Sequence, residues 1–266
     1  MTTADANAIA TAFVAARREA RALPTYPGPI PADLDAAYAI QDAAIGRWGD
    51  AVAGWKVGAI APTWRERYPE ERLVGPVFAR RVGRAGDPVA LPVIDGGFAA
   101  VEAEYVVRVA RDADPRRLDW TAEAAAGLVG ALHIGVEFAA SPFAGINDHG
   151  PGVTVSDFGN NAGLILGPEL AGWDADGPEC RTLLDGVEVG RGRPGSIPGG
   201  PLAAFAFALN RCARRGRPLR AGDLVTTGAA TGIHPIAVGQ HAEVRCGELA
   251  PIRCHAVAAA AEDAAR

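Results

Sequence analysis

Val101-Glu102-Ala103-Glu104-Tyr105-Val106-Val107-Arg108-Val109 places two carboxylates in a segment whose valines, tyrosine and alternation otherwise read as a buried β-strand. On a strand, residues i and i+2 project from one face. Glu102 and Glu104 therefore look out together, with backbones roughly 6–7 Å apart. Two anions that close in a partly dry place repel unless a proton or a cation intervenes. A bound divalent metal meets that demand most simply.

Further along, Leu132-His133-Ile134-Gly135-Val136-Glu137-Phe138 is another strand with a carboxylate in an apolar run. A turn region over 114–120 and a short alanine-rich helix capped by Thr121 separate the two strands, so they can lie side by side. Glu137 becomes a third candidate ligand. Three carboxylates form a hard-oxygen set suited to Mg²⁺ or Mn²⁺ rather than zinc. Octahedral Mg²⁺ would keep about three positions for water and substrate. A 2-oxo acid would fill two of these as a chelate and be polarised towards its enolate. The competing reading is a set of edge carboxylates paired with Arg108, Arg111 or other surface cations.

Upstream, Gly54-Trp55-Lys56-Val57-Gly58-Ala59-Ile60 reads as a strand with one lysine among apolar neighbours. Lys56 either snorkels to water from a strand edge or is a cation beside an anionic ligand, or a proton shuttle. Before it, helices are expected over 3–23 and 33–49. The charges of the first, Arg17, Arg18, Glu19 and Arg21, are assigned to a solvated face. Residues 61–76 read as a mobile loop with a helical turn, of the length often used for lids, and 140–160 as a second loop. Ala162 to Gly167 is a buried strand. Asp185-Gly186 marks a hairpin, and Pro201 to Arg215 a helix followed by Gly216. Strands are expected over 224–228, 234–238, 241–246 and 252–257.

With 266 residues, 49% hydrophobic and 21% charged, the chain can bury a full core and is too apolar to be disordered. One catalytic domain over 1–266 is expected, with 1–50 as an N-terminal helical layer and 258–266 as a frayed tail. A formal charge of −5 gives no footprint for nucleic acid or an acidic membrane surface. No run approaches the ~20 apolar residues of a membrane span, and Met1-Thr2-Thr3-Ala4-Asp5 lacks the order of a signal peptide. A cytoplasmic location is expected. Cys180, Cys212, Cys246 and Cys254 lack a Cys-x-x-Cys spacing and read as buried free thiols. Dinucleotide, Walker and Gly-x-Ser-x-Gly signatures are missing.

Taken in order, Ala36-Ala37-Tyr38-Ala39-Ile40-Gln41, Gly54-x-Lys56-x-Gly58, Val101-Glu102-Ala103-Glu104, the Glu137 strand, Gly190-Arg191-Gly192, Pro201-Leu202-Ala203-Ala204 and Gly216-x-Pro218-Leu219-x-x-Gly222-Asp223-Leu224-Val225-x-Thr227-Gly228-Ala229 carry a resemblance over about 33 to 257. The sequence resembles the 2-oxopent-4-enoate (2-hydroxypenta-2,4-dienoate) hydratases and the similar 4-oxalocrotonate decarboxylases, in the fumarylacetoacetate hydrolase superfamily.

The resemblance implies an α+β fold, a mixed β-sandwich or roll with flanking helices, in a homo-oligomer. It implies Mg²⁺ or Mn²⁺ on Glu102, Glu104 and Glu137, Lys56 as the active-site lysine, and a short 2-hydroxydienoate or 2-oxo acid as substrate, in aromatic-compound catabolism. Asn160, Asn161, Arg191 and Thr227 are candidate substrate contacts, each with the alternative of capping a turn or satisfying backbone.

The chain also departs from the family. Gly58 is followed by Ala59-Ile60-Ala61-Pro62 where the family usually reads Gly-Leu-Thr-Ser, and Leu73-Val74 replaces an acidic position before Gly75. Asp157-Phe158-Gly159-Asn160-Asn161 stands for Asp-Asn-Ala-Ser, and Gly228-Ala229-Ala230-Thr231-Gly232 for Gly-Ala-Leu-Gly. A hydratase is the leading expectation. The rivals are a decarboxylase, an acylpyruvate hydrolase and a non-catalytic partner subunit of such an enzyme.

Overall fold

The glutamate segment forms β5 (Phe98–Val109), twelve residues long and buried along most of its length. Valine, alanine and tyrosine suit a strand covered on both faces. It pairs antiparallel with β6 (Val129–Ser141) on one side and β10 (Leu224–Ala229) on the other. Around these lie β1 (Val52–Ala59), β2 (Arg72–Phe78), β3 (Val82–Arg84) and β7 (Asn161–Leu170). The eight-stranded sheet runs β2-β1-β10-β5-β6-β7-β3, with β11 (His234–Pro235) attached to β5. The β1–β10 and β3–β7 pairs are parallel, which makes the sheet mixed. A five-stranded sheet in the order β4-β13-β12-β8-β9 contains β4 (Val89–Val93), β8 (Cys180–Leu184), β9 (Val187–Gly192), β12 (His241–Cys246) and β13 (Ile252–Ala258). The structure, a computed structural model, describes residues 1–172 and 177–261; part of the expected frayed tail, 262–266, lies outside the described residues.

Alternation along β5 sorts its side chains. Val101, Ala103, Tyr105 and Val107 join the main apolar core. The Tyr105 hydroxyl reaches across to the Pro178 carbonyl, 2.6 Å away, beside the second sheet. Buried side chains of this size contribute about 1.5–3 kcal/mol each, enough to hold β5 rigid while its other face carries charge.

Helices flank the sheets. α1 (Thr3–Arg18) opens with a capping box between Thr2 and Asp5, and α2 (Leu34–Trp48) runs from an Asp33 cap to a left-handed Gly49. α3 (Ala122–Ala126) is capped by Thr121 as expected, and α5 (Gly200–Arg214) has Pro201 in its first turn.

Four expectations are corrected. The first helix stops at Arg18, and Ala20 turns to a φ of 50°. Of the charges assigned to a solvated face, Arg17 is turned inward to pair with Asp157, whereas Arg18 stays exposed while donating to the Arg47 and Trp48 carbonyls. The 61–76 loop ends at residue 71, because β2 begins at Arg72 and, as an edge strand, tolerates Pro76. Residues 140–160 contain α4 (Pro151–Ser156), a short helix begun by a proline. The hairpin at Asp185-Gly186 joins β8 to β9 as predicted, and all four thiols are buried and unbridged.

Candidate active site

Strand register decides which side chains meet. Glu102 lies directly opposite Glu137 across β5 and β6, and Glu104 opposite Gly135. Lys56 lies opposite Thr226, and Thr226 opposite Val106. With a side-chain period of two, Lys56, Thr226, Glu102, Glu104 and Glu137 project from one face of four adjacent strands. Lys56 is 6% exposed, Glu102 5%, Glu104 1% and Glu137 0%. Lysine does not snorkel here. Its Nζ is 3.3 Å from Glu137 Oε1.

The cluster is only partly satisfied. Thr226 Oγ1 donates to Glu137 Oε2 at 2.9 Å, and the Gly228 N–H donates to Glu104 Oε2 at 2.6 Å. Glu137 Oε1 is buried without a hydrogen-bond partner among the described residues and faces the Lys56 ammonium at 3.3 Å. Burial, with the Glu137 carboxylate adding to it and Lys56 opposing it, pushes the Glu102 carboxyl up to about 7. Burial and the neighbouring Glu137 and Glu102 push Glu104 well above the carboxylate range, against Lys56 and the Gly228 N–H. Burial alone would lower the Lys56 pKa, but the combined carboxylates, Glu137 foremost, raise it above the ordinary lysine value.

One lysine among three carboxylates leaves an excess of two negative charges when all are ionised. A single divalent cation would cancel it. The donor set is all oxygen, and one of its buried atoms has no hydrogen-bond partner, so the residues fit Mg²⁺ or Mn²⁺ chemistry. Among the described residues no three His, Cys, Asp or Glu side chains stand as an assembled ion site. Binding therefore asks these carboxylates to turn about their side-chain torsions towards a common point.

A cavity of about 330 Å³ opens on the cluster. Lys56 and Glu102 reach its wall, while Glu104 and Glu137 are not among its lining residues. Trp64, Ile197 and Ile233 give it apolar surface, and Arg72 and Asn160 add polar groups. Of the expected contacts, Asn160 lines the cavity and carries an unpartnered group: it is 4% exposed, and its Oδ1 has no hydrogen-bond partner among the described residues. Thr227 also lines the cavity, but its hydroxyl donates to the Tyr105 carbonyl at 2.7 Å. Asn161 faces a separate cavity of about 280 Å³ beside Arg17, Trp48 and Phe78.

Arg191 is not brought to the site within this chain. It sits on β9 in the other sheet, with a 58% exposed side chain held by Glu188 at 2.6 Å.

Three contributors escaped the sequence reading. Thr226 was hidden behind its neighbour Thr227, since register alone decides which hydroxyl meets Glu137. Arg72 fell in a stretch read as loop. Its buried guanidinium donates to the Pro198 carbonyl and lies 3.6 Å from Glu71. The third is the backbone of 158–160, where Phe158, Gly159 and Asn160 have φ of 56°, 65° and 67°. Left-handed backbone costs a non-glycine residue roughly 1–2 kcal/mol. A side chain at Gly75 would collide with the Phe158 carbonyl, so glycine is what lets this turn press onto β2 opposite Lys56.

A mixed two-sheet roll with flanking helices, carrying a carboxylate cluster beside a buried lysine, is the fold of the fumarylacetoacetate hydrolase superfamily. Over 97% of its length it superposes on 99% of the 4-oxalocrotonate decarboxylase of Pseudomonas putida G7, solved with magnesium and adipate, at a TM-score of 0.79 and 20% identity. No family model matches the chain. It is 31% identical over 188 residues to the 2-keto-4-pentenoate hydratase of Burkholderia vietnamiensis, covering 68% of this chain and 69% of that one. It is 28% identical over 233 residues to the TodF product hydratase of Pseudomonas putida F1, covering 83% of each. The chain belongs to the 2-keto-4-pentenoate hydratase family.

Proposed function

We propose that this protein is a divalent-metal-dependent hydro-lyase that adds water to a short 2-hydroxydienoate through its 2-oxo form, using Glu102, Glu104 and Glu137 to hold Mg²⁺ or Mn²⁺. The carrying observation is the buried Lys56–Glu137 pair clustered with Glu102 and Glu104, with Lys56 and Glu102 reaching the wall of a 330 Å³ cavity. The hydratase names of its relatives and the magnesium of its structural neighbour support the reading. When bound, the ion supplies Lewis-acid stabilisation of negative charge on the substrate oxygens.

In the metal-free cluster the carboxylates hold the Lys56 proton above the ordinary lysine value; with the ion bound, Lys56 would be the side chain placed to donate towards the oxygen on which charge develops. The Asn160 amide orients the substrate's polar end. Trp64, Ile197 and Ile233 cover the hydrocarbon portion and restrict water. The chain works as a single catalytic domain. A homo-oligomer and a cytoplasmic location belong to the same reading.

The test is the loss of dienol absorbance from 2-hydroxypenta-2,4-dienoate, with the 4-hydroxy-2-oxo acid identified as product. Turnover should vanish with EDTA and return with Mn²⁺ or Mg²⁺; turnover that survives complete metal removal would refute the proposal.

Arg72 favours a second reading. A buried cation on the cavity wall matches a substrate with a second carboxylate, for which decarboxylation uses the same electron sink. Carbon dioxide release from a 2-oxo dioate, without a hydrated product, would select that reading.

A further inference from the structure

The turn at 158–160 has three consecutive left-handed residues, and only Gly159 is a glycine. Backbone of this kind persists where its surroundings over-determine it. On one side Gly159 lies against Gly75 and Lys56: a Cβ on it would come 2.9 Å from the Gly75 Cα and 3.4 Å from the Lys56 Cδ. On the other side Asp157 receives a bidentate pair from Arg17, with Nε 2.6 Å from Oδ1 and Nη2 2.9 Å from Oδ2. The same Nη2 donates to the Ala140 carbonyl at 2.7 Å, and the guanidinium lies over the Phe158 ring, 5.2 Å from its centroid. The Arg17 side chain is 8% exposed and that of Asp157 0%. A planar fork shielded from water fixes orientation as well as charge. The turn then ends on Asn160, whose Oδ1 is buried in the wall of the cavity without a hydrogen-bond partner among the described residues.

We propose that Arg17, from the N-terminal helix, is a positioning residue of the active site: by clamping Asp157 it fixes the left-handed turn that presents the Asn160 amide to the substrate and seats Gly159 beside Lys56. This rests on reading the cavity as the 2-oxo acid site. Arg17 touches neither the cavity that holds Lys56 nor the carboxylate cluster. It lines the cavity on the far side of the turn, beside Phe158 and Asn161.

The experiment compares wild type, Arg17→Met and Arg17→Lys, each alone and combined with Asn160→Ala, all loaded with Mn²⁺. Steady-state kinetics on 2-hydroxypenta-2,4-dienoate and amide hydrogen exchange of 158–160 are the two readouts. Arg17→Met should lower kcat/KM by about tenfold or more, as expected for misplacing an orienting group, and Arg17→Lys should recover part of it. In the Asn160→Ala background the Arg17→Met loss should shrink below about threefold, since coupled residues are non-additive. Exchange of the turn should quicken while that of β5 is unchanged.

A kcat/KM within about twofold of wild type in Arg17→Met, an equal loss in both backgrounds, or unaltered exchange of the turn overturns the proposal. If Arg17→Met fails to fold, Arg17→Lys goes through the same cycle, and an equal loss in both backgrounds or unaltered exchange of the turn overturns the proposal there. If wild type turns over no 2-oxo acid, the functional reading falls, and exchange of the turn in the Arg17 variants still decides the positioning claim.

Discussion

Replacing Lys56 by methionine removes a charge from the cluster with little change of volume. In wild type free of metal, Lys56 is the cation that offsets three buried carboxylates. Breaking a buried pair by deleting one partner typically costs about 3–5 kcal/mol, because the remaining charge is left uncompensated. The lower end applies here, since Glu102 and Glu104 already hold protons more tightly than ordinary carboxylates and can neutralise themselves.

The pH dependence carries the diagnosis. The Glu102 carboxyl rises from its ordinary 4.5 to about 7 in the folded protein. The native state therefore binds more protons than the unfolded chain between those values, and its stability falls as pH rises through that window. Without Lys56 the native carboxyls hold protons to still higher pH, so the fall continues beyond 7. Its slope is up to about 1.4 kcal/mol per pH unit for each extra proton held. Urea unfolding in EDTA should show Lys56→Met less stable by about 3 kcal/mol at pH 8, with the gap narrowing towards pH 6 and Mn²⁺ narrowing it at pH 8. A gap that stays constant from pH 6 to 9, or falls below about 1 kcal/mol at pH 8, would show that Lys56 does not compensate this cluster.

Other consequences can be measured separately. Glu104→Gln should weaken Mn²⁺ binding by at least about tenfold in calorimetric titration, since losing even an outer hydrogen-bonding partner of a ligand costs about that much; affinity equal to wild type would remove Glu104 from the ligand set. Thr226→Val takes a hydroxyl from Glu137 Oε2, and should cost about 1.5–3 kcal/mol in metal-free urea unfolding, the range for a hydrogen bond to a charged group. An unchanged midpoint would show that Glu137 does not depend on it. Arg72→Met should raise KM for a 2-oxo dioate about tenfold while leaving a substrate without a second carboxylate within about threefold, since a buried charge pair is worth several kcal/mol only where both charges are present. Equal effects on both would assign Arg72 to holding Pro198. Gly75→Ala should lower activity and Tm together, because its methyl meets the Phe158 carbonyl; a variant with wild-type Tm and kcat would contradict the close approach.

The carboxylates were legible from sequence because their signal is local. Charge inside a β-patterned apolar run is conspicuous, and a period of two fixes which residues share a face. The hairpin at Asp185-Gly186, the cap at Thr121 and the start of a helix near Asp33 were legible for the same reason. What escaped depends on contacts far apart in the chain. Thr226 rather than Thr227 meets Glu137 because β10 lies between β1 and β5 in one register, and nothing local distinguishes two adjacent threonines. Arg17 looked like part of a solvated helical face because its partner Asp157 is 140 positions away. Proline punctuation concealed β2, since the sequence does not reveal that the strand lies at an edge where Pro76 is tolerated.

The same division separates the two halves of the site. Its electrostatic half is written into strands β1, β5 and β6, where the backbones of Lys56, Glu102, Glu104 and Glu137 are held by register and cannot shift without breaking a central sheet. The half of the cavity wall proposed to meet the substrate's remaining atoms comes from less regular backbone: the strained turn at Asn160, the Trp64 segment and the stretch through Ile197. Sheet register tolerates little change, whereas connecting segments can be altered at small cost to the core. The departures at Ala59-Ile60-Ala61-Pro62 and Phe158-Gly159-Asn160 fall in or beside that second half. A change of substrate on an unchanged electron sink is what this distribution predicts, and kinetic effects of substitutions at Trp64, Asn160 or Ile197 should therefore differ between substrates, while those at Glu104 should be uniform.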